Sequence, residues 1–408
     1  MHIPITSQPE YGNLVNFSGN MNLPIHSWFN LKEGYSSKLV SDLMSELKIK
    51  EGKVFDPFSG CGTTLLTAKE KGINFLGFEV NPFLYTLTKT KIATYDSSSI
   101  QKIYKYKSII KNRSSKVQKV QRVGLSIADK VFGSQLDSIL RYRQVILGIR
   151  DEKIRNFYLI AFLSVLERCG FAKKDGNGLR YPPRKKPEQF ITAFSNKVEQ
   201  MLEDIVDGQV ADSNNKVVFG DCRNIASDFL EEHKNSAALS VFSPPYLNCF
   251  DYTEIYKVEL WFGGFVNAYS DLKNIRNSSL TSHLNKEIVP EKGMQMIQKY
   301  ITAIRHQDIW SPKIPDMVDS YFSDMQKVLR NVHKVLKKGG HCVIIVGNSA
   351  YGRVVIPTDE ILAVIGESMG FKCIKLDVAR KLNTSPQQQK KITNSEKLRE
   401  SLVYLQKC

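Results

Sequence analysis

Apolar residues recur along this chain with two spacings, and each spacing dominates different regions. Every third or fourth residue is apolar in residues 36–49 and 318–339, which predicts two amphipathic helices, the first with a serine cap and the second ending at Gly339. The pattern of residues 53–80 indicates a strand, a glycine-rich turn, a helix and a second strand. This order predicts a β-α-β unit with parallel strands and a right-handed crossover.

Strand patterns lie on both sides of a long helical block, and residues 1–35 are loop-like. The block covers residues 96–215 and is rich in Lys and Arg. After it, strand patterns return in residues 216–224, 236–246, 339–349, 370–382 and 400–407. The last two are expected at the edge of the sheet. The alternation predicts a doubly wound, Rossmann-like α/β sheet with a helical insertion, and 408 residues suffice for both.

The charge of the chain changes the picture of its partners. Lys and Arg number 57 against 41 Asp and Glu, which gives a net charge of +16 and a pI of about 9.3. Such a balance bears on partners rather than on fold, and the polyanion it favours is nucleic acid. A basic soluble protein without such a partner is the alternative on charge alone.

Cysteine and histidine spacing argues against a disulfide framework and against a metal site. The seven cysteines contain no C-x-x-C pair, and the histidines are scattered. Free thiols in a reducing, cytoplasmic compartment are therefore expected, without a metal ligand set. The N-terminus lacks the pattern of a signal peptide, and the apolar run 157–166 is too short to span a bilayer, so no membrane partner is expected.

The sequence DPFSGCGTT, residues 56–64, is the first chemical motif. It lies between a predicted strand and a predicted helix, at the sheet edge where open α/β folds bind ligands. Gly60 and Gly62 allow a ligand close to the backbone, and the following helix N-terminus favours anionic groups. No Lys follows the glycines, so a nucleotide triphosphatase is disfavoured.

Two acidic residues end later strands. Glu79, in GFEVNP, lies about twenty residues past the glycine-rich turn, a spacing that suits hydrogen bonds to a ribose diol. Asp221, in GDCRN, is placed to accept from an adenine amino group, although an ordinary turn aspartate explains it nearly as well.

The Ser-Pro-Pro-Tyr turn, residues 243–246, interrupts a buried strand pattern. Proline has no N–H to donate, so two in succession end any strand ladder. The result is a rigid polar turn with an aromatic side chain at its end. Such a turn is suited to a flat ring that bears an amino group.

Together, DPFSGCGTT, the GFEVNP acid and SPPY resemble the S-adenosylmethionine-dependent DNA methyltransferases that modify exocyclic amino groups. The resemblance covers residues 24–95 and 216–407. It implies S-adenosyl-L-methionine as cofactor, held by residues of the motifs and of the segment 24–40, which resembles one that closes over the cofactor. The implied cofactor-binding residues are Asp56, Pro57, Phe58, Gly60, Gly62, Thr63, Glu79, Asp221, Trp28 and Lys32, with Ser36 a further candidate in that segment.

The resemblance assigns catalysis to Ser243, Pro244, Pro245 and Tyr246. An exocyclic amine is a weak nucleophile, and hydrogen bonds to Ser243 and to the Pro244 carbonyl strengthen it. Tyr246 would stack on the base, which must first leave the double helix. The Ser form of the turn is more like the cytosine-N4 enzymes, and adenine N6 is the alternative. Carbon-5 methylation would need a Cys after a Pro, and none occurs here.

Three basic regions compete for DNA contact: residues 97–128, residues 173–187, and residues 262–320, which hold Arg276, His283 and Arg305. A charge run on a solvated face is the alternative for each. The expected division is a cofactor-binding half, 1–95; a basic insertion with a candidate DNA-binding role, 96–215; a catalytic half, 216–261; a candidate DNA-contact segment, 262–320; and the rest of the sheet, 321–408.

The expected partners are double-stranded DNA and a restriction endonuclease encoded as a separate protein, because the family is usually found in restriction–modification or defence systems. Two rival functions remain at this point. One is methylation of an RNA or protein amide, and the other is a DNA-binding protein on an inactive methyltransferase fold.

Overall fold

The computed structural model describes residues 3–176, 178–207, 215–288, 294–382 and 397–408. The strands are β1 (Ile5–Ser7), β2 (Lys53–Asp56), β3 (Phe75–Glu79), β4 (Lys173–Asp175), β5 (Gly178–Arg180), β6 (Lys216–Phe219), β7 (Ala237–Phe242), β8 (Leu336–Gly347), β9 (Ser349–Tyr351), β10 (Val354–Ile356), β11 (Phe371–Lys381) and β12 (Arg399–Lys407).

Helices connect most of these strands. They are α1 (Ser37–Glu46), α2 (Thr63–Glu70), α3 (Pro82–Ile92), α4 (Ser97–Ser114), α5 (Ala128–Phe132), α6 (Leu136–Leu147), α7 (Glu152–Cys169), α8 (Phe190–Asp207), α9 (Ser227–Glu232), α10 (Tyr252–Ile255), α11 (Lys257–Phe262), α12 (Tyr269–Ser278), α13 (Gln298–Arg305), α14 (Ile314–Val335) and α15 (Thr358–Ser368).

Eight strands form one twisted sheet in the order β1-β11-β12-β8-β7-β2-β3-β6. The run from β8 to β6 is parallel, whereas β12 is antiparallel to both of its neighbours. Side chains alternate between the two faces of the sheet. Val54 packs with α1 and α2 on one face, and Phe55 packs with α14 and α15 on the other. The predicted doubly wound α/β fold is confirmed.

The helical insertion has a core of its own. Helices α4 to α8 bury one contiguous apolar cluster, and this cluster continues into α3 and α11. Trp28 lies inside it, with ring contacts to Tyr95 and Phe157. The insertion is therefore packed against the sheet domain through shared apolar contacts.

Three expectations about element boundaries were wrong. The long helix α14 ends at Val335 rather than at Gly339, because Leu336 already pairs with Ala237 in the sheet. Strands β11 and β12 lie inside the sheet, between β1 and β8, rather than at an edge. The edges are β6 and β1, and β1 lies in a segment predicted to be loop. All three residues of β1 are exposed, so the strand leaves no alternating apolar signal.

A buried ion pair anchors the β4–β5 hairpin to the segment that follows the Ser-Pro-Pro-Tyr turn. Lys174 donates to Glu259 of α11, and both side chains are buried. The ammonium group also lies 4.4 Å from the centre of the Tyr256 ring, a cation–π distance. Burial is the main cause that raises the pKa of Glu259, and Lys174 opposes it.

We expect Lys174→Met to destabilise the protein by about 3–5 kcal/mol, because removing one partner leaves the other charge buried and uncompensated. Urea unfolding measures the change. Lys173→Met is the matched control, since Lys173 is the exposed neighbour on the same strand. A loss as large in the control as in Lys174→Met would contradict this account of the hairpin.

Candidate active site

The candidate site lies at the switch point of the sheet, where successive strands are added on opposite sides of β2. Strands β3 and β6 extend the sheet on one side of β2, and β7 and β8 extend it on the other. The carboxyl ends of β2 and β7 diverge at this point, and such switch points form ligand crevices in open α/β sheets. One cavity there is lined by residues from both halves of the chain, including Gly60, Glu79, Ser243 and Pro245.

The glycine-rich turn forms the floor of this cavity. Asp56 is fully buried, and its carboxylate accepts from the Phe58 N–H at 2.9 Å. Gly60 and Gly62 have φ of +52° and +79°, which only glycine adopts without strain. A Cβ at Gly62 would also lie 3.0 Å from the Thr88 side chain. The backbone can therefore approach a ligand closely here.

Glu79 closes the cavity above this turn. Its two oxygens accept from the N–H groups of Gly60 and Asn81, both at 2.8 Å. Burial raises the pKa of Glu79 to about 7, and burial also raises the pKa of Asp56 to about 7. A donor from a ligand would favour the ionised form of Glu79, as the hydroxyls of a ribose would.

Asn81 is a cavity residue that the sequence reasoning missed. Its side-chain oxygen caps α3 by accepting from Phe83 N–H, while its Nδ2 has no hydrogen-bond partner among the described residues. An acceptor carboxylate next to a free amide donor fits the polar groups of S-adenosylmethionine. The sequence signal that could have identified Asn81 is the Asn-Pro pair, which is typical of the start of a helix.

Asp221 lies beside the cavity but is occupied by a neighbour. Arg223 donates to both of its oxygens at 2.7–3.0 Å and also reaches Asp324 at 2.6 Å. A narrow slot adjoins this aspartate and is lined by Phe78, Glu79, Asp221, Cys222 and Leu280 among others. The slot continues from Glu79, as an adenine subsite would.

The Ser-Pro-Pro-Tyr turn forms the opposite wall. Ser243 and Pro245 line the cavity, and Pro244 is buried behind them. Tyr246 points toward the far side of the turn, where its hydroxyl donates to Glu400 at 2.6 Å and its ring lies against Gly347. Tyr252, which follows in the same loop, lines the cavity instead, as do the rings of Tyr35 and Phe58.

Asp251 secures this loop from within. One carboxylate oxygen accepts from the Thr253 backbone and hydroxyl, and the other accepts from Arg276 and Asn285 at 2.9 Å. Arg276 belongs to residues 262–320, one of the three competing candidate regions for DNA contact, and its side chain pairs with Asp251 and Glu254. The sequence shows only that Arg276 is a cation, and charge alone does not distinguish a carboxylate of the same chain from a phosphate of DNA.

Trp28 and Lys32, expected at the cofactor, lie elsewhere. The Trp28 indole is fully buried and donates to Asp204 at 2.8 Å. Lys32 donates to the carbonyl of Lys174 at 3.0 Å. The part of the segment that lines the cavity is Leu31, Glu33, Gly34 and Tyr35. Ser36 caps α1 by accepting from the Lys38 N–H.

Two properties of the described residues complete this picture. No three His, Cys, Asp or Glu side chains there are grouped as metal ligands. None of the helices in those ranges has the length and apolar character needed to cross a membrane.

The sequence was compared with models of known protein families and with individual proteins. A family model described as N6_N4_Mtase, DNA methylase, matches residues 32–90, which run from the N-terminal wall of the cavity to α3. With the relatives below, the match supports a DNA amino-methyltransferase of the N4/N6 type, for which S-adenosylmethionine is the cofactor.

The chain is similar to particular Type II methyltransferases along most of its length. It is 26% identical to M.BsoBI of Geobacillus stearothermophilus over 100% of this chain and 90% of that protein. It is 25% identical to M.AvaI of Nostoc sp. over 89% of this chain and 82% of that protein. M.MvaI of Kocuria varians is 19% identical over 79% and 76%. The similarity therefore includes the insertion as well as the cavity.

We expect the affinity for S-adenosylmethionine to increase between about pH 6 and about pH 8, with release of up to about one proton per site. The raised pKa of Glu79 means that the free protein loses stability as the pH rises through about 7, because the buried carboxyl must then ionise. A ribose diol that donates to the carboxylate offsets this loss. Calorimetric titration in buffers of different ionisation enthalpy measures the protons released.

Glu79→Gln tests the origin of this effect. The variant should bind the cofactor more weakly and with less pH dependence. An unchanged slope would assign the titration to Asp56, the other carboxyl whose pKa is about 7.

Proposed function

We propose that this protein transfers a methyl group from S-adenosylmethionine to N4 of a flipped-out cytosine within a specific short DNA sequence. The observation that carries the proposal is the shared cavity of Glu79 and Ser243 at the β2–β7 switch point. The cofactor-side acceptor and the base-side turn face one space. Methyl donor and amine acceptor can therefore meet without a covalent enzyme intermediate.

The Ser-Pro-Pro-Tyr turn supplies acceptors to the amine. Ser243 Oγ and the Pro244 carbonyl accept hydrogen bonds from the two N4–H groups. These hydrogen bonds draw the nitrogen toward a tetrahedral geometry, which frees its lone pair. The proline rings fix the backbone so that the carbonyl direction does not relax. When bound, S-adenosylmethionine supplies an electrophilic methyl group. Tyr252, half-buried in the same cavity, presents an apolar face that excludes water from the amine.

Cytosine N4 is favoured over adenine N6 by the Ser at position 243. The side chain of the Ser-Pro-Pro-Tyr turn that accepts from the amine is then a neutral hydroxyl, as in the cytosine-N4 branch that the turn resembles. Adenine N6 uses the same chemistry and is the second candidate. Digestion of modified DNA to nucleosides and mass spectrometry separates the two products.

The three basic regions differ in how their charges are used. In residues 97–128, Lys102 pairs with Asp151 and Lys107 pairs with Glu199. In residues 262–320, Arg305 pairs with Asp316. These cations are at least partly neutralised by acids of the same chain, which fits solvated faces.

The region 173–187 also contains ion pairs, Lys174 with Glu259 and Arg180 with Asp175, but it borders a groove rich in cations, here called the basic groove. Its lining includes five basic residues and one acid: Lys32, Arg168, Lys173, Lys185, Lys197 and Glu167. The groove and the cavity are neighbours, since Lys32 lines the first while Leu31 and Glu33 line the second. We assign the DNA backbone to the basic groove, so that a base leaving the duplex enters the adjacent cavity.

The relatives are named Type II methyltransferases. This supports a role in a restriction–modification system, with a separate endonuclease that cuts the same sequence when it is unmodified.

Ser243→Ala should lower turnover by about 10²-fold, because the variant no longer has the side-chain acceptor that assists the amine. The affinity for S-adenosylmethionine should stay within about two-fold of wild type, since Glu79 and the glycine-rich turn are untouched. Methyl transfer to DNA and calorimetric binding are measured side by side. Asp56→Ala is the reverse control, with cofactor binding lost first. Loss of cofactor binding in Ser243→Ala would contradict the placement of the turn.

Lys173→Ala/Arg184→Ala should weaken DNA binding and reduce the slope of log affinity against log salt by about 0.9 for each phosphate that the variant no longer neutralises. Both side chains are exposed on the loop 173–187. Lys105→Ala/Lys111→Ala removes two exposed cations of α4 and is the charge-matched control. Equal slopes for the two double variants would contradict the assignment of the backbone to the basic groove.

A further inference from the structure

His283 is a buried side chain in the cavity that the chemistry above does not use. It follows α12, in a loop that also contributes Ser279, Leu280 and Ser282 to the cavity. Only 3% of its surface is exposed. It shares the cavity lining with Ser243 and Tyr252.

The loop that carries His283 is fixed on both sides. Thr281 donates from its N–H and its hydroxyl to Asp324, at 3.0 and 2.7 Å. The carbonyl of Ser282 accepts from the N–H of Cys249, in the loop of the Ser-Pro-Pro-Tyr turn, at 3.0 Å. The loop that carries the imidazole is therefore held in position relative to the turn.

The ring itself is incompletely bonded. Its Nδ1 is buried and has no hydrogen-bond partner among the described residues. Buried polar atoms are almost always hydrogen-bonded, since an unpaired one loses its hydration without compensation. His283 lines the cavity that the proposed function assigns to the base, so a base atom is a candidate for the missing partner.

The chemistry of the base identifies that atom. The Ser-Pro-Pro-Tyr turn offers acceptors for the amino group. The next atom along the same edge is a ring nitrogen with a lone pair, N3 in cytosine and N1 in adenine, and it needs a donor. A neutral imidazole has one N–H to give.

We propose that His283 donates its Nδ1–H to the ring nitrogen beside the amino-bearing carbon of the target base. The inference rests on the proposed function only in that the base enters with its amino group toward Ser243. It applies equally to cytosine and to adenine. His283 is then a specificity residue, because guanine and thymine carry an N–H at that ring position and would oppose the donor.

The electrostatic surroundings keep this donor neutral. Burial lowers the pKa of His283 below its ordinary value, Asp251 opposes this, and Arg276 and Lys286 add to it. A neutral donor suits the reaction, because a cation on the ring nitrogen would withdraw electrons from the amine. An imidazolium would also repel the sulfonium cofactor.

A double-mutant cycle between protein and substrate tests the hydrogen bond. The modified base is first identified from the wild-type product. A duplex then carries either that base or its deaza analogue, 3-deazacytosine or 1-deazaadenine, in which C–H replaces the ring nitrogen. The target lies opposite an abasic site, so that neither version has a pairing partner to lose on flipping. Wild type, His283→Ala and His283→Asn are compared on both duplexes.

We expect His283→Ala to lower kcat/KM on the natural base on the order of 10–100-fold, and His283→Asn, which keeps an N–H donor, to recover part of the loss. On the deaza duplex the three proteins should agree within about two-fold, because the base then has no acceptor for the hydrogen bond. His306→Ala is the control, since His306 is exposed and bonds the Thr302 carbonyl of its own helix.

The opposing outcomes are distinct. If His283→Ala loses the same factor on both duplexes, the proposal is overturned and the role of His283 is structural. If His283→Ala no longer binds S-adenosylmethionine, the cycle is run with His283→Asn. A wild-type enzyme that shows no preference for the natural base over the analogue overturns the proposal in either case. Failure of the wild type to methylate any DNA would contradict the proposed function itself.

Discussion

The pairing of β2 with β7 is the constraint on which the site depends. These strands are parallel and adjacent, with Val54 opposite Leu239 and Phe55 opposite Ser240, so their carboxyl ends reach the same edge of the sheet. Strand β2 ends at Asp56 and leads into the glycine-rich turn, and β7 leads into Ser243 and the Ser-Pro-Pro-Tyr turn. The Thr64 hydroxyl, 3.4 Å from the Val241 carbonyl, ties the helix after β2 to the end of β7. A shift of one strand against the other would separate cofactor and base.

The site also contains two buried carboxyl groups, Asp56 and Glu79, whose ionised forms are unfavourable without a hydrogen-bond donor from a ligand. Asp56 and Glu79 are buried close enough that Glu79 contributes to the raised pKa of Asp56. Arg223 connects Asp221 with Asp324, and Asp324 in turn holds the loop of His283 through Thr281. A chain of charged hydrogen bonds therefore runs from the slot beside Asp221 to the loop that carries His283. Such contacts are short and directional, and they order the loops before substrate arrives.

Local signals in the sequence predicted one part of the site, and tertiary contacts decided the rest. The glycine-rich turn, Glu79 and the Ser-Pro-Pro-Tyr turn are each written in a few consecutive residues whose backbone conformation has few alternatives. Of these residues, Phe58, Gly60, Thr63, Glu79, Ser243 and Pro245 line the cavity, whereas Asp56, Pro57, Gly62, Pro244 and Tyr246 do not. Trp28 and Lys32 were placed by the resemblance of residues 24–40 to a segment that closes over the cofactor, and an amphipathic side chain in such a segment packs in the core as readily as it contacts a ligand. Asn81 carries the local signal of an Asn-Pro helix start, which indicates a cap rather than a ligand contact. His283 carries no local pattern, and only the fold brings it to the cavity.

The sheet shows the same division. The alternation of apolar residues predicted the buried strands β2, β3, β7 and β8, because their faces are covered by helices. It missed β1, whose residues are exposed. It also placed β12 at an edge, since a buried antiparallel strand and an edge strand differ in neighbours rather than in composition. The charge of the chain predicted nucleic acid as the class of partner. It did not predict which surface binds the nucleic acid, because a basic residue such as Arg276 can pair with an internal carboxylate.

The distance along the chain between β2 and β7 has a consequence for biosynthesis. Strand β7 begins about 180 residues after β2 ends. At a translation rate of about 5–20 residues per second, the ribosome needs roughly 10–40 s to deliver it. Throughout that interval β2 has no partner on one side, while α4 to α8 emerge and can bury their own cluster. The newly made insertion therefore emerges beside an open sheet edge, before α11 is available to complete its apolar cluster, and an open edge is the feature by which nascent chains pair with one another.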